Sequence, residues 1–163
     1  MSKKKYSLNT IYISERLQEN LKPISQSAFT AVTAPMGYGK TTAINWYLDK
    51  QSKNGNSCVI RISIYFDNLS VFWQSVQKAF AFAGLDFLDN YSCPSDAASA
   101  GMLADELCYS LSGQTSYYIF IDDFHLLGEP HVADFFCMLA NRLPENIHLI
   151  VSGRNAFLSG KEI

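Results

Sequence analysis

Short, mainly apolar runs recur along the chain and are its clearest structural signal. They are five to seven residues long and rich in β-branched or aromatic side chains. Continuous apolar runs of this length are typical of strands that are buried on both faces of a sheet. The runs predict four strands, at residues 29–34, 58–64, 117–121 and 147–152.

Between these runs, apolar residues follow the spacing of helices. Ser70 is the predicted cap of one helix, and Gly84 its predicted end. Strands that alternate with helices and lack polar alternation predict a parallel sheet covered on both faces. The expected fold is therefore α/β, a three-layer arrangement with a mainly parallel sheet of about four strands flanked by helices on both faces. The predicted helices cover about 40–50, 70–83, a segment from 95 or 96 to before Gly113, and a segment from Pro130 to before Pro144.

A glycine-rich stretch, AVTAPMGYGKTT at residues 31–42, joins the first predicted strand to the first predicted helix. It is close to the phosphate-binding pattern GxxxxGK[ST], although alanine replaces the first glycine. The remaining glycines allow backbone amides to converge on a phosphate at a helix N-terminus. A loop this degenerate also occurs by chance. The predicted nucleotide-binding residues are Ala34, Pro35, Met36, Gly37, Tyr38, Gly39, Lys40, Thr41 and Thr42.

Within this set, individual roles follow from the chemistry of the side chains. Lys40 is expected to reach the β- and γ-phosphates of the nucleotide, and the Thr41 hydroxyl is expected to bind Mg²⁺. Thr42, together with the loop amides, is expected to hold the α- and β-phosphates. Mg²⁺ and ATP or ADP are therefore the predicted cofactors.

Two acids end the third predicted strand, in IFIDDFH at residues 119–125. They follow the glycine-rich loop by about 80 residues, and the carboxyl ends of parallel strands share one edge of a sheet. Asp122 is the predicted partner of Mg²⁺, and Asp123 is predicted to orient or deprotonate an attacking water. Arg154, after the fourth strand, is a candidate sensor of the γ-phosphate. The alternatives are a solvated turn for the acids and an ordinary surface position for the arginine.

Composition narrows the range of partners. The 163 residues suffice for one domain, and a net charge of −2 gives no field that would hold DNA. No apolar run has the length of a membrane span or of a signal peptide, and four widely spaced cysteines indicate reduced thiols in the cytoplasm. Charged residues make up only 17% of the chain, which indicates either a large core or a surface covered by further protein.

Taken together, the motifs resemble the N-terminal ATPase domain of MalT-like, LuxR-type bacterial transcriptional regulators, within the STAND class of P-loop NTPases. The residues that carry the resemblance span nearly the whole chain. They are VTAPMGYGKTT at 32–42, DN with FW between 67 and 73, IDDFHLL at 121–127 and LPENIHLIVSGR at 143–154.

The resemblance implies a slow ATPase used as a switch. ADP would hold a closed monomer, and ATP with an inducer would permit self-association and activation of transcription. Residues 1–163 would form the nucleotide-binding core alone, because the winged-helix, helical sensor and DNA-binding helix-turn-helix domains of the family find no counterpart in this sequence. DNA would then be bound only through a domain outside this chain. The resemblance also implies that the first strand lies at an exposed sheet edge, which predicts self-association or lowered stability.

Some positions depart from the family pattern. Ser14 stands where the family often has an arginine that helps seat the base, and Tyr65 stands where an acidic residue is usual. His125 belongs to the family motif, and we expect a structural role for it.

Two other functions are compatible with the sequence. A small P-loop kinase or phosphotransferase would need arginines to neutralise the transferred group, and none lies between residues 84 and 116. A fragment that binds other proteins without any nucleotide is the second alternative. Failure to bind ATP or ADP would favour it.

Overall fold

The strands of the protein form one sheet in which all neighbours run parallel. The computed structural model describes residues 15–33, 40–124 and 130–153. In the described part of the chain the strands are β1 (Phe29–Thr33), β2 (Ser57–Ser63), β3 (Ser116–Asp122) and β4 (Ile147–Gly153). Their order in the sheet is β1-β4-β3-β2. The predicted four-stranded parallel sheet is confirmed, and every strand end lies within one residue of its predicted position.

Helices precede, separate and cover the strands. They are α1 (Glu15–Leu21), α2 (Pro23–Gln26), α3 (Lys40–Ser52), α4 (Leu69–Phe82), α5 (Ala97–Ser110) and α6 (Pro130–Ala140), with a 3₁₀ turn at Phe87–Asn90. The sequence pattern predicted the last four helices but not α1, α2 or the 3₁₀ turn. The two missed helices have only seven and four residues, which is too short to display a helical period.

Each face of the sheet supports its own apolar core. On one face, Ile119, Ile121 and Leu149 pack with buried side chains of α4, α5 and α6. On the other face, Phe120 and Ile150 pack with α1, α2 and α3. Successive strand residues point to opposite faces, so covering both faces requires apolar residues at nearly every position. The three-layer architecture predicted from the runs is therefore confirmed.

The short helix α2 is tied to the sheet by polar groups. The Ser25 hydroxyl lies 2.6 Å from the Tyr47 hydroxyl of α3 and 3.0 Å from the Tyr118 hydroxyl of β3. Tyr118 stacks on His148 of β4, with ring centroids 4.9 Å apart. The His148 Nδ1 atom lies 2.9 Å from the Ser27 carbonyl, and a carbonyl only accepts, so Nδ1 carries the proton. This network fixes the approach of the chain to β1.

The cap of helix α4 lies two residues before the predicted one. The Asn68 side chain accepts a hydrogen bond from the Val71 amide at 3.0 Å, whereas Ser70 lies within the first turn. The prediction of Ser70 as the cap was wrong, because an amide oxygen was available one residue before the helix. Gly84 follows the helix with φ of +87°, as predicted for a residue that ends it.

The outer strands of the described sheet are β1 and β2. The expectation that the first strand lies at an edge is therefore met. In the part of the chain that the structure describes, no helix is both long enough and apolar enough to cross a membrane.

Candidate functional site

The carboxyl ends of β1, β3 and β4 lie along one edge of the sheet. Thr33 is paired with Gly153, and Ile121 with Val151, so Asp122 and Ser152 lie just beyond the last pairing of β3 and β4. This is the edge at which ligands collect in parallel α/β sheets. Helix α3 begins at Lys40 after the segment that leaves β1 here.

Alternation along the strands directs the polar side chains of this edge toward α3. Phe120 and Ile150 lie in the core beneath α1, α2 and α3. Asp122 and Ser152 are each two residues further along the same strands, so they face the same side of the sheet. Thr41, in the first turn of α3, covers that side.

Thr41 and Asp122 are in direct contact, although 81 positions separate them in the sequence. The Thr41 hydroxyl lies 3.1 Å from Asp122 Oδ1 and 3.2 Å from Oδ2, and it donates to the carboxylate. Both side chains are partly buried. The structure thus brings together the two residues for which the sequence predicted a metal-binding role.

Ser152 completes the cluster and was not among the predicted site residues. Its hydroxyl donates to Asp122 Oδ1 at 2.5 Å, and its side chain is fully buried. The Ser152 Oγ atom also accepts a hydrogen bond from the Asp123 amide at 3.3 Å. The signal that could have identified it is a polar residue at the end of an apolar run, in a strand expected to end at the same sheet edge as the acid pair.

Asp123 has an unusual backbone conformation. Its φ is +59°, in the left-handed region where aspartate is tolerated better than most residues. The chain therefore turns sharply just after β3, and Asp123 no longer follows strand geometry. The predicted role of Asp123 toward water stays a prediction.

The remaining predicted residues are only partly covered by the structure. Lys40 is the first residue of α3, and Thr42 lies in the same turn with an exposed side chain. Outside the described residues lie Ser14, Ala34, Pro35, Met36, Gly37, Tyr38, Gly39, His125 and Arg154.

The Thr41 and Asp122 oxygens fit a magnesium ion in chemical type. Mg²⁺ prefers oxygen ligands, and proteins hold it through one or two side chains together with phosphate oxygens and water. A threonine hydroxyl can donate its proton in a hydrogen bond to a carboxylate and still offer a lone pair to a metal. The pair can therefore serve a metal that a nucleotide brings with it.

Two arginines of the described residues, Arg61 and Arg142, are engaged away from this edge. Arg61 donates to Asp49 and Asn45 of α3, each at 2.8 Å, on the outer side of β2. Arg142 pairs with Asp105 at 3.2 Å and lies before β4, near the amino ends of the strands. Tyr65, just beyond β2, is 74% exposed and supplies no acid at the carboxyl edge.

Comparison with known sequences places most of the chain in one family. The profile of a family described as the AAA domain matches residues 22–159. Two relatives, both named HTH-type transcriptional regulator MalT, come from Klebsiella pneumoniae subsp. pneumoniae and from Klebsiella pneumoniae strain 342. Each is 28% identical to this chain over 158 residues. The match covers 88% of this chain and 16% of each relative, so the chain spans a small part of their length.

Solved structures share the fold at lower identity. Cdc6p from Pyrobaculum aerophilum has a TM-score of 0.57 and 17% identity, covering 91% of this chain and 42% of its own. The ORC2 protein of Aeropyrum pernix, solved as ADPNP–ADP complexes, has a TM-score of 0.58 and 13% identity, covering 92% and 46%. At these identities the likeness concerns the fold alone.

Proposed function

Because this chain belongs to the AAA domain family, and its predicted likeness to the P-loop ATPase domain of MalT-type regulators is confirmed, we propose that it is the nucleotide-binding switch of such a regulator. It binds ATP or ADP with Mg²⁺, and the bound nucleotide controls self-association and activation of transcription. Residues 1–163 form this nucleotide-binding domain. Other domains of the intact regulator bind DNA.

The contact between Thr41 and Asp122 is the observation that supports this proposal best. A hydroxyl from the start of α3 meets a carboxylate from the end of β3 at 3.1 Å, at the ligand-collecting edge of the sheet. When bound, Mg²⁺ neutralises charge on the nucleotide phosphates. Thr41 offers the metal its hydroxyl oxygen, and Asp122 holds that hydroxyl in place. Lys40 and the loop of residues 34–39 receive the phosphates, with Thr42 beside them.

Within the same proposal, Asp123 and Arg154 serve the hydrolytic step. Asp123 orients or deprotonates water, and Arg154 senses the γ-phosphate. Since Tyr65 supplies no acid near this edge, we expect slow turnover, which suits a switch. A regulator of bacterial transcription works in the cytoplasm, and we propose that location for this chain.

A phosphotransferase is less well supported than a switch. Transfer to an acceptor requires cationic groups that neutralise the moving phosphoryl group. Arg61 and Arg142 instead pair with acids elsewhere on the molecule.

Thermal unfolding with and without nucleotide tests the proposal. Ligand at about 100 times its dissociation constant stabilises the folded state by about 2.7 kcal/mol, which for a chain of this size raises the melting temperature by about 5–10 °C. We expect that shift with Mg²⁺ and either ATP or ADP. Lys40→Ala should abolish it, because the phosphates lose their lysine.

The matched control is Lys53→Ala, which removes an exposed lysine from the turn after α3. This variant should keep the full shift. If the native chain shows no shift with either nucleotide, the chain binds no nucleotide under these conditions, and an interaction fragment becomes the better description. A shift that survives in Lys40→Ala would place the nucleotide elsewhere.

A further inference from the structure

We propose that Ser152 is a positioning residue that holds Asp122 ready for the metal and ties both acids to the end of β4. This inference rests on the nucleotide function proposed above and concerns the same site. Three observations support it. Ser152 is completely buried, its hydroxyl hydrogen-bonds with the Asp122 carboxylate and the Asp123 amide, and the backbone of Asp123 is left-handed.

The hydrogen-bond geometry gives Ser152 two roles at once. Its hydroxyl has one proton and two lone pairs. The proton goes to Asp122 Oδ1, and a lone pair receives the Asp123 amide. Because Ser152 is fully buried, water does not compete for either bond.

The hydrogen bond from the Asp123 amide to Ser152 also gives a partner to a backbone N–H that the sheet does not pair. The pairing of β3 with β4 ends at Ile121 and Val151. Asp123 then departs from the strand with φ of +59°, so its N–H does not continue the ladder. The Ser152 hydroxyl accepts in place of a backbone carbonyl and helps to stabilise this turn.

The bond to Asp122 limits where its carboxylate can point. Thr41 reaches both carboxylate oxygens, at 3.1 and 3.2 Å, and would by itself allow the group to rotate about its axis. Ser152 contacts Oδ1 alone and breaks that equivalence. The carboxylate is thereby held in one orientation toward Thr41 before any metal arrives. Partners of this kind typically change metal affinity by about 10- to 100-fold.

This arrangement predicts a specific loss in Ser152→Ala. The dissociation constant of ADP is measured for the full chain by displacement of a fluorescent ADP analogue, once with Mg²⁺ and once with EDTA. In the native chain, Mg²⁺ should tighten binding. In Ser152→Ala, the factor by which Mg²⁺ tightens ADP binding should be smaller by about tenfold or more, while the affinity measured in EDTA should stay the same. Ser152→Thr, which restores a hydroxyl at this position, should recover the gain.

A second readout needs no nucleotide. Hydrogen exchange of the Asp123 amide, followed by NMR in the free protein, should be faster in Ser152→Ala and slower again in Ser152→Thr, because the hydroxyl is its acceptor. Thr30→Val removes another strand hydroxyl from the same face of the sheet and is the matched control. It should leave both the Mg²⁺ gain and the Asp123 exchange rate unchanged.

The outcomes separate this inference from the function on which it rests. If the native chain binds no nucleotide, both fall together. If Ser152→Ala keeps the full Mg²⁺ gain, or loses affinity equally with Mg²⁺ and with EDTA, the positioning role is wrong while nucleotide binding stands. Unchanged exchange at Asp123 would likewise overturn it.

Discussion

Hydroxyl groups on the sheet and its covering helix have contrasting surroundings. Thr41 and Ser152 both donate to Asp122, and each is thereby given a definite direction. Thr30 of β1 is different, because its Oγ1 atom is buried and has no hydrogen-bond partner among the described residues. A buried polar atom without a partner lowers stability. The proposed metal site therefore accounts for the first two hydroxyls, and nothing in the structure accounts for the third.

At the scale of one residue, we predict that Thr30→Val stabilises the protein. Valine has nearly the same shape and β-branching, and it removes the cost of the buried hydroxyl. The free energy of unfolding, measured in urea, should rise by about 1 kcal/mol. A decrease would mean that the hydroxyl has a partner in solution, such as an ordered water.

At the scale of elements, the cap of α4 explains one of the motifs that carry the family resemblance. In the DN and FW motif, Asn68 accepts from the Val71 amide, and Phe72 and Trp73 are buried in the core beneath α4. The Trp73 Nε1–H also donates to the Tyr91 carbonyl at 2.8 Å, which fixes the segment after the 3₁₀ turn. The motif therefore positions a helix, and no nucleotide contact is needed to explain it.

The corresponding prediction compares two neighbouring polar residues. Asn68→Ala should lower the free energy of unfolding by about 1 kcal/mol, because the first turn of α4 loses its side-chain acceptor. Ser70→Ala, the matched control, should have little effect, since Ser70 lies inside that turn. If chemical denaturation showed the same decrease in the free energy of unfolding for both variants, the assignment of Asn68 as the cap would be contradicted.

An element could be predicted from the sequence when the pattern that identifies it lies within the element itself. The strands could be predicted because burial on both faces requires continuous apolar runs. Helices α1 and α2 could not, because single apolar residues such as Leu21 and Ile24 show no period, and their burial depends on distant contacts with α3. Thr41 and Asp122 were predicted from motif spacing. Ser152 was missed because its contact with Asp122 exists only once β3 and β4 are paired, and its one local signal is that it is a polar residue at the end of an apolar run.

At the scale of the whole molecule, the two edges of the described sheet differ in how well they are protected against pairing with another chain. Edge strand β2 carries Arg61, which is exposed and paired with Asp49 of α3. Edge strand β1 has the sequence FTAVT, without a charge, and its Ala31 is exposed. Charged side chains on an edge strand oppose pairing with another chain. The uncharged β1 edge is therefore the one open to association.

We predict that the chain self-associates through β1 at high concentration. Sedimentation velocity should show an average mass above that of the monomer, rising with concentration. Ala31→Lys should return the chain to a monomer, because it places a charge on the exposed edge. The matched control, Gln74→Lys, adds the same charge to an exposed position of α4 and should leave association unchanged. A native chain that stays monomeric at high concentration would contradict this prediction.

The central claim is that Thr41 and Asp122 form the metal side of a nucleotide site, and a crystal structure of the chain grown with ADP and Mg²⁺ tests it most directly. The account predicts phosphates against residues 37–42 and a metal bound by the Thr41 hydroxyl at about 2.1 Å, with Asp122 beside it. A nucleotide seated away from the carboxyl edge of the sheet, or a metal without Thr41, would contradict it.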